Sequence, residues 1–175
     1  TPRWKEIKPL LPEYKKEIFI GKQQNCKEVS FTFLNQTKLL IIPLEWNNSN
    51  WSRLWQFNLH YFDWMRFSLD QTLISHKPKV KFNYLTFLVD DWIDNNPYGR
   101  GDGWHSYTLS LRIRNWIFLF RCFPSFLTKK TLDSLWHQIC WLFSHPEDCH
   151  GGNHLIENLT CLAFSSLHFE GKKAE

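Results

Sequence analysis

The run Gly151-Gly152-Asn153-His154-Leu155-Ile156-Glu157-Asn158-Leu159 carries the residues best suited to chemistry. Two glycines break the preceding helical pattern, and a short polar cluster opens a new one. At helical spacing Asn153 shares a face with Glu157, and His154 shares one with Asn158. The first turn of a helix offers unpaired N–H groups and the positive end of the dipole, both favourable to anions. An amide, an imidazole and a carboxylate placed there could receive an acidic sugar. A plainer role stands beside it: Asn153 as the N-cap, a position that asparagine fills well.

The elements that would position this cluster can be read from the hydrophobic period. Residues 1–28 are charged and mixed, with Pro2, Pro9 and Pro12 interrupting any long helix. Val29–Leu34 alternates and Lys38–Ile42 is apolar, so the two form a short hairpin joined by Asn35-Gln36-Thr37. A polar loop, Trp46–Trp51, then leads into helical spacing. Leu54, Trp55, Phe57, Leu59, Phe62, Met65 and Leu69 form one wide stripe, closed by His76-Lys77-Pro78. A second helix covers Phe82–Ile93 and stops before Asn95-Asn96-Pro97.

The connector Asn96–Trp104 is rich in turn residues and carries Tyr98 and Trp104, either to stack on a sugar or to pack the loop. A third helix places Leu109, Ile113, Trp116, Ile117 and Phe120 on one face, with Ser106 as a possible cap. A fourth carries Leu132, Leu135, Trp136, Ile139 and Phe143, with Thr131 as possible cap. The fifth starts near Asn153 and ends at Phe169-Glu170-Gly171. Five helices on short loops argue for antiparallel helical hairpins and an all-α fold.

Composition sets outer bounds. A chain of 175 residues, 43% hydrophobic and 22% charged, reads as one globular core. The aromatic load of 10 Trp, 15 Phe and 5 Tyr can fill that core or line a groove for flat ligands. A net charge of +4 suits an acidic polymer, while the lack of a Lys/Arg stripe disfavours nucleic acid. No window approaches the ~18 apolar residues of a spanning helix, and Thr-Pro-Arg does not open a signal peptide.

Five cysteines do not make a paired framework. Cys140, His145, Cys149, His150 and His154 are zinc-type ligands, but their spacing fits no compact pattern, so no metal or other cofactor is expected. Arg112 and Arg114 could bind carboxylate or sulfate, or make structural salt bridges. His60 and Asp63 share a face and suit a polar contact at an inner rim.

Four blocks now resemble, in order, the heparinase II/III-like polysaccharide lyases. They are Leu54–Asp63; Trp92-Ile93 with Asn96-Pro97 and its glycine loop; Trp104, Tyr107 and Ser110–Ile117; and Gly152–Leu159 with Phe169-Glu170-Gly171. The resemblance spans roughly residues 46–175. It implies a partial (α/α) toroid over 51–175, preceded by a 1–50 extension with the hairpin. A β-sandwich and a tyrosine-bearing helix would follow as an intramolecular partner. It also implies a periplasmic or extracellular setting and an acidic polysaccharide as substrate.

Lyases of this kind work by β-elimination. The proton beside a uronate carboxylate is very weakly acidic until that carboxylate is neutralised or hydrogen-bonded. By resemblance Asn153 grips the carboxylate and His154 assists it or acts as base. Glu157, Trp104, Tyr107, Arg112 and His60 are the expected substrate contacts. The loop Pro146-Glu147-Asp148-Cys149-His150 is more polar than the family pattern. The rival expectation is a glycan-binding chain of the same fold without the chemistry.

Overall fold

The computed structural model describes residues 3–5, 28–66, 81–148 and 152–171. Strands β2 (Glu28–Phe33) and β3 (Gln36–Ile41) form an antiparallel hairpin with Phe33 opposite Gln36 and Glu28 opposite Ile41. The turn is two residues long, Leu34 and Asn35, at φ 54° and 59°. Two left-handed residues match the twist of the flanking strands, so Gln36 and Thr37 join β3 instead of lengthening the connector. One face of the hairpin is apolar. Phe31 rests edge-on to Trp64 with centroids 5.0 Å apart, and Phe33 does the same on Trp55 at 5.0 Å.

Helix α1 runs Arg53–Tyr61, its first turn capped by the Ser52 hydroxyl. It stops at Phe62, which adopts φ 62°. The apolar stripe is therefore bent: residues 63–66 open a separate helical turn. Leu69 and His76-Lys77-Pro78 lie outside the described residues. Helix α2 covers Lys81–Asn95, and the Asn96 amide donates back to the Trp92 carbonyl at 2.9 Å.

Helix α3 covers Ser106–Cys122 with His105, not Ser106, at the N-cap. Helix α4 covers Lys129–Ser144; Thr128 is its cap and Thr131 completes a reciprocal capping box. Helix α5 covers Asn153–Ser166 behind Gly152 at φ 100°. Strands β1 (Arg3–Trp4) and β4 (Phe169–Glu170) then pair antiparallel, bringing Trp4 edge-on to Phe169 at 5.3 Å.

The all-α expectation is overturned. The structure is mixed, with two small antiparallel sheets beside the helices, and no toroid of helical hairpins is seen among the described residues. Packing gives the reason. Helix α3 contacts α1, α4 and α5, so it is a central helix wrapped by others and not one member of a ring. Trp46, Trp55, Trp92, Trp116, Phe62, Phe120, Phe123 and Phe126 are all buried around it, in one core with Phe31 and Leu40 of the hairpin. No helix among the described residues is long and apolar enough to cross a membrane.

Close packing leaves no slack at Gly103, in the 3-10 turn Asp102–Trp104. A Cβ there would stand 2.9 Å from His60 Nδ1 and 3.3 Å from the Trp92 ring, both buried. Gly103→Ala is expected to cost about 1–3 kcal/mol by overpacking, read as a lower urea midpoint. An unchanged midpoint would show that the two rings can yield.

Candidate functional site

Three helix ends meet on one face: the start of α5, the start of α3 and the end of α1. Gly152 is the N-cap of α5 and no side chain caps that turn, so Asn153 is the first helical residue and its side chain is exposed. The N-cap role considered for Asn153 is thus taken by glycine. His154 follows, half-exposed. Its Nδ1 lies 2.9 Å from Glu147 Oε1, and its ring stacks on Tyr107 with centroids 4.2 Å apart and planes at 29°. Tyr107 sits in the first turn of α3 and meets Tyr61, at the end of α1, edge-on at 6.0 Å.

The aromatic surface continues beyond these rings. Tyr61 stacks with Phe57 at 6.4 Å, and Phe57 lies 5.4 Å from the His105 ring. The Arg53 guanidinium covers Phe57 at 5.1 Å while its Nε donates to Asp102. Burial, with Tyr107 and Asp63 adding to it, pushes the Tyr61 phenol up to about 12. Tyr61 therefore keeps its proton at any ordinary pH and parts with it less readily than an ordinary tyrosine. On the other side of His154, Glu157 is paired with Arg114. The Asn115 amide ties the Tyr61 carbonyl to Asp63, at 2.8 Å each. Asp63, Arg66, Arg114 and Thr160 line a cavity of 360 Å³ beside them.

A polar frame fixes the loop that carries Glu147. Ser106 Oγ donates to the His145 carbonyl at 2.5 Å. The Glu147 N–H donates to Asn158 Oδ1 at 2.8 Å, and Asn158 Nδ2 donates to Ser110 Oγ at 2.8 Å. Asn158 is fully buried. Its helical alignment with His154 is real, but it serves as the clamp between α5, α3 and the loop.

Three expected substrate contacts are placed elsewhere. His60, Arg112 and Trp104 are 0%, 0% and 6% exposed. Arg112 and Arg114 are two residues apart, which on a helix separates them by roughly 200°. Arg114 therefore reaches the site and Arg112 enters the core. There its guanidinium lies on the Trp92 ring at 3.9 Å, donates from Nε to Gln138 at 2.8 Å and from Nη1 to the His60 carbonyl at 3.3 Å. The His60 ring is used at both nitrogens, accepting from Trp92 Nε1 at 3.0 Å and facing Asn47 Oδ1 at 3.2 Å. Trp104 is boxed by Trp92, Tyr98 and Trp141.

Asn153, His154, Glu157 and Tyr107 are thus brought together, whereas His60, Arg112 and Trp104 hold the helices. Sequence reasoning did not assign a role to Glu147 or His105, and placed Tyr61 only in a block suited to packing or substrate contact. Glu147 lies seven residues before His154 across a break in the helices, where no periodicity links them. Its only signal was the unusual polarity of its loop.

Among the described residues no group of three or more His, Cys, Asp or Glu is arranged to hold a metal ion. Cys140 lines a separate 550 Å³ cavity with Trp136, Ile139, Phe143, Leu162 and Phe169. Cys149 and His150 lie outside the described residues. Comparison with protein-family models, with curated proteins and with solved structures gives no match.

Burial, helped by the Arg112 charge, holds His60 down at about 3 from its usual 6.5. The unfolded chain takes up that proton below 6.5 and the folded chain does not until about 3. Stability from this group is therefore full above pH 6.5 and is lost as pH falls through that window. Between about pH 7 and 5, wild type is expected to lose about 2 kcal/mol more than His60→Gln in urea titrations. Equal losses in the two proteins would mean that His60 titrates in the fold as it does in the unfolded chain.

Proposed function

We propose that this chain recognises uronic-acid-containing polysaccharide at the α5 start and contributes to its cleavage by β-elimination, as a polysaccharide lyase. The observation that carries the reading is the exposed His154 imidazole, stacked on Tyr107 beside the exposed Asn153 amide. Asn153 and the free amides of the first turn supply the donors that a uronate carboxylate needs before its neighbouring proton becomes acidic. His154, the next residue of the helix, would assist that neutralisation or take the proton. The phenols of Tyr61 and Tyr107 are the candidate donors toward a leaving oxygen. Phe57, Tyr61 and Tyr107 offer partly exposed rings for sugar faces.

A second reading is binding of the same glycans without cleavage. It is favoured by the Arg114–Glu157 pair, which takes the carboxylate of Glu157 away from a substrate.

Incubation with polyuronates, followed by the ultraviolet absorbance of the unsaturated sugar product, separates the two. A lyase gives the absorbance, and His154→Ala removes at least about a hundredfold of it, the scale on which one oxyanion donor acts. Retention on immobilised polyuronate without any product supports binding alone. Neither retention nor product would sink both readings.

A further inference from the structure

We propose that Glu147 is a positioning residue that locks His154 in one tautomer and leaves its Nε2 as the free, proton-accepting nitrogen. The carboxylate oxygen lies 2.9 Å from His154 Nδ1. An ionised carboxylate only accepts hydrogen bonds, so Nδ1 must carry the hydrogen, and in the neutral ring the lone pair falls on Nε2. Free histidine in water favours the opposite tautomer, so the fold imposes this one.

The lever is rigid because its fulcrum is buried. Glu147 is only 17% exposed in its side chain, against 50% for His154. Its own N–H is held by Asn158, which is anchored to Ser110 on α3. The neighbouring His145 carbonyl is held by Ser106. Carboxylate, α3 and α5 are thereby fixed with respect to one another before any ligand arrives.

The second oxygen, Oε2, is buried without a hydrogen bond and faces His105 Nδ1 at 3.9 Å. Glu147 therefore stands between two imidazoles, one tightly bonded and one at the edge of reach. Tyr107 closes the remaining side by stacking on the His154 ring, which restricts rotation about its χ2 angle. A flipped ring would put carbon against the carboxylate and forfeit the bond. The position of Nε2 is thus set by a hydrogen bond on one edge and a ring on one face. A base acting on a uronate requires such control, so the catalytic meaning of the lock rests on the function proposed above; the lock itself does not.

The test is nitrogen-15 NMR of histidine-labelled full chain at about pH 8.5, above the ordinary imidazole range. In wild type His154 is expected to show a protonated Nδ1 and a bare Nε2. Glu147→Ala is expected to shift it toward the Nε2–H form. Glu147→Gln, whose amide oxygen still accepts, is expected to keep the wild-type pattern and serves as the folded control. A bare Nδ1 in wild type, or no change in Glu147→Ala, overturns the proposal.

Polyuronate cleavage is measured on the same proteins. A loss of about a hundredfold or more in Glu147→Ala, largely restored in Glu147→Gln, supports positioning, within the range known for orienting carboxylates. The expected tautomers without any cleavage still support the lock and count against the lyase instead. Undiminished cleavage in Glu147→Ala overturns the positioning role while leaving the lyase standing.

Discussion

The fold is arranged around one buried cation. The Arg112 guanidinium is wholly inaccessible, burial pulls its pKa well down, and no carboxylate pairs with it among the described residues. A charge in such a place is tolerable only with dipoles and a π-face turned toward it. The Trp92 ring, the Gln138 amide oxygen and the His60 carbonyl supply them, so one side chain of α3 binds α2, α4 and α1. Burial keeps His60 neutral, and the same charge beside it adds to the effect. A neutral His60 that accepts from Trp92 at Nδ1 must donate from Nε2 to Asn47. Asn47 in turn donates to Asn96, the residue that ends α2. The consequences of one guanidinium thus extend from the core to the loop before α1 and the loop after α2.

The tryptophans act within this frame as directional ties as well as apolar bulk. Trp46 Nε1 donates to the buried Asp91, Trp55 to the Gln36 carbonyl, Trp64 to the Leu59 carbonyl and Trp104 to the Asn96 carbonyl. Each indole spans from one element to another or closes a turn. Asp91 also accepts from the Leu44 N–H, pinning the chain that leaves the hairpin onto α2. Phe62, in the left-handed region at φ 62°, turns its ring between Trp46 and Trp116. A core so rich in rings needs such fixed contacts to specify one arrangement, because apolar area alone would accept several.

Helical spacing made most of this legible where a single face decides. The stripe of Leu109, Ile113, Trp116, Ile117 and Phe120 is buried throughout. The hairpin was legible too, from alternation in Val29–Leu34. Periodicity failed where a residue's partner lies far along the chain. The β1–β4 pair joins Arg3–Trp4 to Phe169–Glu170, and two-residue strands carry no period. Leu159 and Ile156 of α5 remain 55% and 62% exposed, whereas polar Asn158 and Ser165 are buried on the face turned to α3. An apolar moment would orient α5 the other way. Arg112 and His60 misled for the same reason: polar residue types suggested a ligand, and the ligands proved to be Gln138, Trp92 and a carbonyl of the chain itself.

The site inherits its geometry from the core while standing outside it. Arg112 and Arg114 share the rigid α3 backbone, so the helix that seals one guanidinium also fixes where the other meets Glu157. Tyr107 is placed by the same helix, and Asn158 ties α5 to it through Ser110. Asn153 lies beyond all these ties, capped by no side chain and bonded to none among the described residues. The His154 imidazole is thus held on one edge by Glu147 and on one face by Tyr107, next to the exposed Asn153 side chain. Under the proposed function, the held imidazole would set where a reacting atom lies, and the exposed Asn153 amide would offer a donor beside it. Side chains tied to the α3 frame, Tyr107 by its place on the helix and Asn158 by its bond to Ser110, are set in advance.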